Sequence, residues 1–379
     1  MPMMPRMDAS QQSNAEWRVP IVKCNVLILG ASYGSLLGTK LLMAGHYAAL
    51  VCTAPTARLI NREGTRVRFP IRGRESPLEI ASKDLPGALS ALTPGEADPD
   101  AYDLVVLGMQ EAHYGSSGVR ELMGRIARAR KPCLAIMNMP PLPYLKRIPG
   151  LATERLEACY ADPGVWKAFE PELVTLASPD PQAFRPAGEP KNVLHVGLPT
   201  NFKAARFDAE APTALLRRLE ADIETARFGD IEVPVKLKVH DSIFVPLAKW
   251  PMLIAGNYRC IRPDDMIPIR EAVHGDVEAS RGIYEWVAAL CTRLGADAGD
   301  LVPFEKYAKA AESLGKPSSA ARALFGGAEH IERVDSLVAR IARQLQLQSG
   351  TLSGIVALVD ERLERNRAGR RDLALASAA

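Results

Sequence analysis

Five consecutive residues, Gly30-Ala31-Ser32-Tyr33-Gly34, are compatible with two different chemistries. They spell G-x-S-x-G, in which a serine on a tight strand-to-helix turn attacks a carbonyl. They also approximate G-x-G-x-x-G, in which small residues let the backbone approach a pyrophosphate and a helix N-terminus supplies N–H donors. The nucleophile turn needs earlier strands, because part of its oxyanion hole comes from a preceding strand–helix loop. Here the strand-like "NVLILG" follows a short polar stretch with scattered Met and Pro, which leaves no room for them. Chance alone produces G-x-S-x-G in about one chain in eight of this length. We therefore read the five residues as a cofactor-binding turn, with a ligand-free strand–helix turn as the alternative. Ser32 stands near the expected second glycine, and the spacing from Gly30 to Gly34 is one residue short.

The next strand-like run ends in "VCTAPTAR". An NAD enzyme usually places a carboxylate there to hold the ribose hydroxyls. None is present. Thr53, Thr56 and Arg58 could receive a 2′-phosphate instead, which leans towards NADP over NAD. Arg58 could equally be a solvated surface cation.

A second candidate centre is Lys249, in the otherwise apolar "VPLAKWPMLIAG". A lysine held there would be partly desolvated and so a better acid near neutrality. It could also snorkel to the surface from a helix start. Asn257 lies eight residues on, two helical turns and about 80° around the axis, so both could face one cleft if Pro251 does not break the helix. Ser319, just after Pro317, could contact a substrate or act as an N-cap. Glu332, in "HIERVD", could hold a substrate or lie on the charged side of an amphipathic helix.

The elements that must position these groups change character along the chain. Up to about Pro140, strand-like runs ("NVLILG", "AALVCTA", "DLVVLGM", "PCLAIMN") alternate with helical patterns, which predicts a parallel, doubly wound sheet. "ELVTLAS" and "NVLHVGL" add weaker strands, and "APTALLRRLEADIETARFG" reads as a helix. From His240 the pattern is nearly all helical, with long amphipathic runs in "REAVHGDVEASRGIYEWVAALCTRLG" and "AEHIERVDSLVARIARQLQL". The expected organisation is a loose tail at 1–20, an α/β domain at 21–238, an all-α domain at 239–366 and a frayed tail at 367–379.

Composition narrows the function classes. The 379 residues suffice for two domains, and a net charge of +3 gives no reason to expect nucleic acid or an anionic membrane as a partner. No apolar run approaches the roughly 20 residues of a membrane helix. The six cysteines form no C-x-x-C pair, and the six histidines are dispersed, so no metal site is expected. Cysteines inside apolar runs suit a reducing, cytoplasmic setting.

Taken together, the chain resembles the ketopantoate reductase family from about Asn25 to Arg365. The resemblance rests on the order and spacing of five pieces: "GSLLGTKLLMAGH", "DLVVLGMQ", "AIMNMPP", "DSIFVPLAKWPMLIAGN" and "KPSSAARAL…AEHIERVD". It implies a Rossmann-like N-terminal domain joined to a helical domain, with a small carboxylic acid as substrate in the cleft between them. It also implies reduction of a 2-keto acid by NADPH, and is compatible with a homodimer. Residue by residue, Lys249 matches the family's general acid, Asn257 the later Asn, and Ser319 the substrate-binding Ser. Glu332 matches the substrate-holding Glu if one residue is inserted, and Asn138 the Asn near the nicotinamide. Four positions depart from the family. Leu253 replaces an Asn, Thr53 an Arg, Gln110 a Lys, and "NMPP" a glycine-rich turn. Two other readings remain. One is an opine-type dehydrogenase reducing an imine, for which His240-Asp241 is the adjacent His–acid pair. The other is a nucleotide-binding sensor without catalysis.

Overall fold

The structure is a computed structural model and describes residues 22–378, with side chains described as far as residue 371. The tail expected at 1–20 lies outside these residues. Twelve strands follow in chain order: β1 (Asn25–Leu29), β2 (Tyr47–Val51), β3 (Arg66–Phe69), β4 (Leu78–Ala81), β5 (Ala88–Leu92), β6 (Leu104–Leu107), β7 (Cys133–Ile136), β8 (Val174–Ser178), β9 (Gln182–Phe184), β10 (Val193–Leu198), β11 (Phe202–Ala205) and β12 (Leu237–His240). The continuous apolar runs of β1, β6 and β7 form the middle of the main sheet, as expected of strands covered on both faces. Val26, Ile28 and Val106 face one core, and Leu27, Leu29, Val105 and Leu107 face the other.

The main sheet has eight strands in the order β12-β11-β8-β7-β6-β1-β2-β5. Every neighbouring pair is parallel except β11 with β8. The chain leaves β1 towards β2 on one side and later returns to β6 on the other. This reversal makes the β1/β6 junction a topological switch point, where open α/β sheets leave a crevice at the carboxyl ends of their strands. A second, four-stranded sheet, β4-β3-β10-β9, carries the "NVLHVGL" strand.

The helical region follows β12, whose end at His240 lies two residues beyond the expected boundary. Its main helices are Ile269–His274, Val277–Leu294, Phe304–Ala311, Ser319–Phe325, Val334–Gln344 and Gly350–Ala378. One core runs from a face of the main sheet through these helices. Three sequence expectations change here. The first long amphipathic run is two helices, because the Asp276 carboxylate accepts from Ala279 N–H at 2.9 Å and so begins a new helix. The second run becomes helical only at Val334, so Glu332 precedes the helix and does not lie on its charged face. Residues 367–378, expected as a frayed tail, continue the last helix.

Candidate functional site

The turn after β1 is shaped for close approach. Gly30 has φ +102°, the left-handed region that favours glycine, and a Cβ there would lie 2.8 Å from Gly108 O at the end of β6. A Cβ on Gly34 would lie 2.8 Å from Ile28 Cγ2, so Gly34 supplies the tight helix–strand packing of the motif's last glycine. The helix Tyr33–Met43 has no acidic residue in its first turn, and Ser32 makes no side-chain capping bond. The N–H groups of Tyr33 and Gly34 have no acceptor among the described residues. The arrangement fits an anion at the helix start. Ala31 and Gly34 are buried in the turn. Tyr33 reaches across, and its hydroxyl donates to Pro181 O at 2.9 Å. Burial pushes the Tyr33 phenol up to about 12, with the charges of Glu332 and Asp180 adding to the effect.

At the end of β2 the Thr53 and Thr56 hydroxyls are 3.1 Å apart. Thr53 and Arg58 are exposed. Sequence reasoning missed Arg185, which follows β9 and whose charge reaches the Cys52 thiol. No local pattern could place it, since 133 residues separate the two. If Arg58 reads a 2′-phosphate, Arg58→Ala is expected to weaken NADPH binding about tenfold while leaving NADH binding unchanged, as loss of one charge-assisted bond does. Fluorescence titration of the two nucleotides measures this, and equal losses would show that Arg58 does not read the 2′-phosphate.

The carboxyl ends of β6 and β7 meet the helical region in a narrow cleft of about 30 Å³. Five of the candidate residues line it together: Gln110, Asn138, Asn257, Ser319 and Glu332. Leu253, Ile331 and Ala323 supply apolar walls. Asn138 Nδ2 donates to Glu332 Oε2 at 3.1 Å, joining the sheet side to the helical side. Burial pushes the Glu332 carboxyl up, opposed by the Asn138 amide. Tyr258 fixes this segment, donating its hydroxyl to Glu332 O and accepting from Val334 N–H. The N-cap is Ser318, which accepts from Ala321 N–H and donates to Asn257 O. The Ser319 hydroxyl is therefore not needed for capping.

Pro251 does not break the segment carrying Lys249 and Asn257. A 3₁₀ turn over Val245–Ala248 leads into a single α-turn, Lys249–Met252, and then a π-helix, Leu253–Tyr258. Gly256 makes the wide turn possible: a Cβ there would lie 1.9 Å from the Tyr307 hydroxyl, which donates to Met252 O. Gly256→Ala is expected to destabilise the fold by about 1–3 kcal/mol, as overpacking does. Thermal unfolding checks this, and the additional change Tyr307→Phe should recover part of the loss.

Lys249 does not line the cleft. Its Nζ donates to Pro179 O at 2.7 Å and lies 3.3 Å from Asp180 Oδ1. His240 and Asp241 do not form a catalytic pair either. Asp241 is exposed and bound to Arg217, and burial lowers the His240 pKa.

A residue not singled out from the sequence lies behind the cleft. Glu111, directly after Gln110, is 2% exposed, and its Oε2 accepts from Ala161 N–H at 3.1 Å. Burial pushes its carboxyl up to about 7, and the charge of Glu332 adds to the rise. An acid four residues beyond the end of a buried strand was the available signal. Among the described residues no group of three or more His, Cys, Asp or Glu could hold a metal ion, and no helix is long and apolar enough to cross a membrane.

No protein-family model and no curated protein sequence matches the chain. Solved structures do. A D-mandelate dehydrogenase, in a ternary structure with NADH and anilino(oxo)acetate, aligns over 90% of this chain and 99% of its own, with a TM-score of 0.61 and 13% identity. The 2-dehydropantoate 2-reductase of Methylococcus capsulatus aligns over 90% and 97%, with a TM-score of 0.62 and 16% identity. The ketopantoate reductase of Ralstonia eutropha JMP134 aligns over 90% and 99%, with a TM-score of 0.60 and 18% identity. The chain therefore has the fold of the ketopantoate reductases and their D-mandelate dehydrogenase relative: a Rossmann-type α/β region followed by a helical region.

Proposed function

We propose that the chain is a nicotinamide-dependent oxidoreductase that reduces a small 2-keto acid with an apolar side chain. The observation that carries the proposal is the convergence of Asn138, Asn257, Ser319 and Glu332 on one cleft beside the sheet's switch point. The turn from Gly30 to Gly34 would hold the dinucleotide's phosphates, which suits its unpaired first-turn N–H groups, and Thr53, Arg58 and Gln110 would contact the rest. When bound, the nicotinamide supplies the hydride. NADP is favoured over NAD because no carboxylate stands at the end of β2.

The chain's own residues hold the acid and manage the proton. Glu332 Oε1 and Asn138 Oδ1 are buried acceptors without a donor among the described residues. The hydroxyl of the 2-hydroxy acid product, or an N–H of an amine-derived substrate, would satisfy them. Ser319 and Asn257 would hold the carboxylate. Leu253 and Ile331 would face an apolar side chain, since Leu253 removes the amide that a more polar substrate would use. Lys249, which lies outside the closed cleft, would give its proton to the oxygen that becomes a hydroxyl once the cleft opens to take the acid. At about 30 Å³ the cleft has room for a water rather than a keto acid, so substrate entry requires it to open.

The same buried acceptors also suit an amine-derived substrate, which keeps the imine reading as the second one. Absorbance at 340 nm with NADPH or NADH, across a panel of 2-keto acids with and without added amines, separates the two. Turnover of keto acids alone supports the first, and turnover only with amine supports the second. No turnover with tight nucleotide binding favours the sensor.

A further inference from the structure

The loop joining β8 to β9 reads Pro179-Asp180-Pro181. Two prolines fix φ at both flanking positions and restrict the residue between them, so the Asp180 carboxylate sits on a stiff support. The two proline carbonyls are used at once. Pro179 O accepts from Lys249 Nζ at 2.7 Å, and Pro181 O accepts from the Tyr33 hydroxyl at 2.9 Å. Asp180 Oδ1 lies 3.3 Å from Lys249 Nζ, and Oδ2 lies 3.5 Å from Lys203 Nζ on β11. Lys249 and Asp180 are each about four-fifths buried at the side chain, at 19% and 21% exposure.

We propose that Asp180 is a positioning residue for Lys249, an inference that rests on the reading of Lys249 as the proton donor. An ammonium has three N–H donors on a flexible four-carbon stem. Pro179 O accepts one of them and the Asp180 carboxylate holds the charge as an ion pair, which together would fix the nitrogen and leave a donor for a substrate oxygen. Without the carboxylate, the stem regains its rotamers and only a fraction of molecules presents the ammonium correctly. The same loop holds Tyr33, so the dinucleotide turn and the proton donor share one rigid contact.

Asp180→Asn keeps the shape and removes the charge. It should lower kcat at least tenfold, while KM for the keto acid and the Kd of NADPH stay within about twofold. Asp180→Glu should recover part of the kcat. A second readout does not need activity: competitive acetylation with acetic anhydride, followed by peptide mass spectrometry and referenced to exposed Lys309. Lys249 should label slowly in the wild type and at least about threefold faster in Asp180→Asn. Unchanged labelling in Asp180→Asn, or an unchanged kcat where Lys249→Ala is inactive, overturns the positioning role and leaves the reductase reading intact. A wild-type protein that reduces no carbonyl substrate defeats the reductase reading, and the labelling ratio then decides alone whether Asp180 holds Lys249.

Discussion

Lys249→Ala is expected to lower turnover of the reduction by about 10²–10⁴-fold, the usual range for loss of a general acid. Hydride delivery to a carbonyl builds negative charge on oxygen, and a positioned ammonium both stabilises that charge and gives up the proton. Nucleotide affinity should stay near the wild-type value. The proposed phosphate contacts come from the turn after β1, whereas Lys249 belongs to the helical segment after β12. Lys249→Arg should not rescue turnover, because a guanidinium does not readily release a proton. Steady-state kinetics with a titration of NADPH binding measures both quantities. A Lys249→Ala enzyme with full turnover on its best keto acid removes the general-acid role from Lys249 and leaves the reductase reading resting on the cleft residues alone.

The second large effect concerns stability and its pH dependence. Glu111 ordinarily titrates at 4.5, and burial pushes it to about 7 in the fold. Between these values the folded state binds the proton more tightly than the unfolded chain, so ionisation at higher pH opposes folding. Each pKa unit corresponds to about 1.4 kcal/mol, so the penalty grows as pH rises from 4.5 and levels off above about 7, at about 3–4 kcal/mol. Glu111→Gln keeps the shape and an acceptor for Ala161 N–H but carries no charge. The variant should therefore unfold at a higher temperature than the wild type at pH 8, with the gain shrinking towards zero near pH 4.5. Thermal unfolding across that range measures it. A gain that is constant with pH, or larger in acid, would show that Glu111 is not ionising in a buried site. Because Glu332 lies within range of the Glu111 charge, the variant should also bind a substrate-like acid with an altered pH dependence.

Local residue patterning was enough to set the elements of the α/β half. Runs such as Val26–Leu29 and Leu104–Leu107 have no polar alternation, which only a doubly covered strand tolerates. The glycines at 30 and 34 forced a tight strand–helix turn wherever the sheet placed it. The order of motifs also put Asn138, Asn257, Ser319 and Glu332 in one list, and the fold puts them in one cleft. How that list divides depends on packing between segments distant in the chain. Lys249 turns to Pro179 and Asp180 because the β8–β9 loop crosses its path, a contact 70 residues away in sequence. Glu332 lies outside the helix pattern, where the Tyr258 hydroxyl, 74 residues earlier, holds its backbone carbonyl. Glu111 became a site residue only when Ala161 and Glu332 closed over it. Periodicity reports a residue's own helix or strand. Burial of a charge and the partner of an ammonium are set by whichever distant segment packs against them, and one-dimensional spacing does not encode that packing.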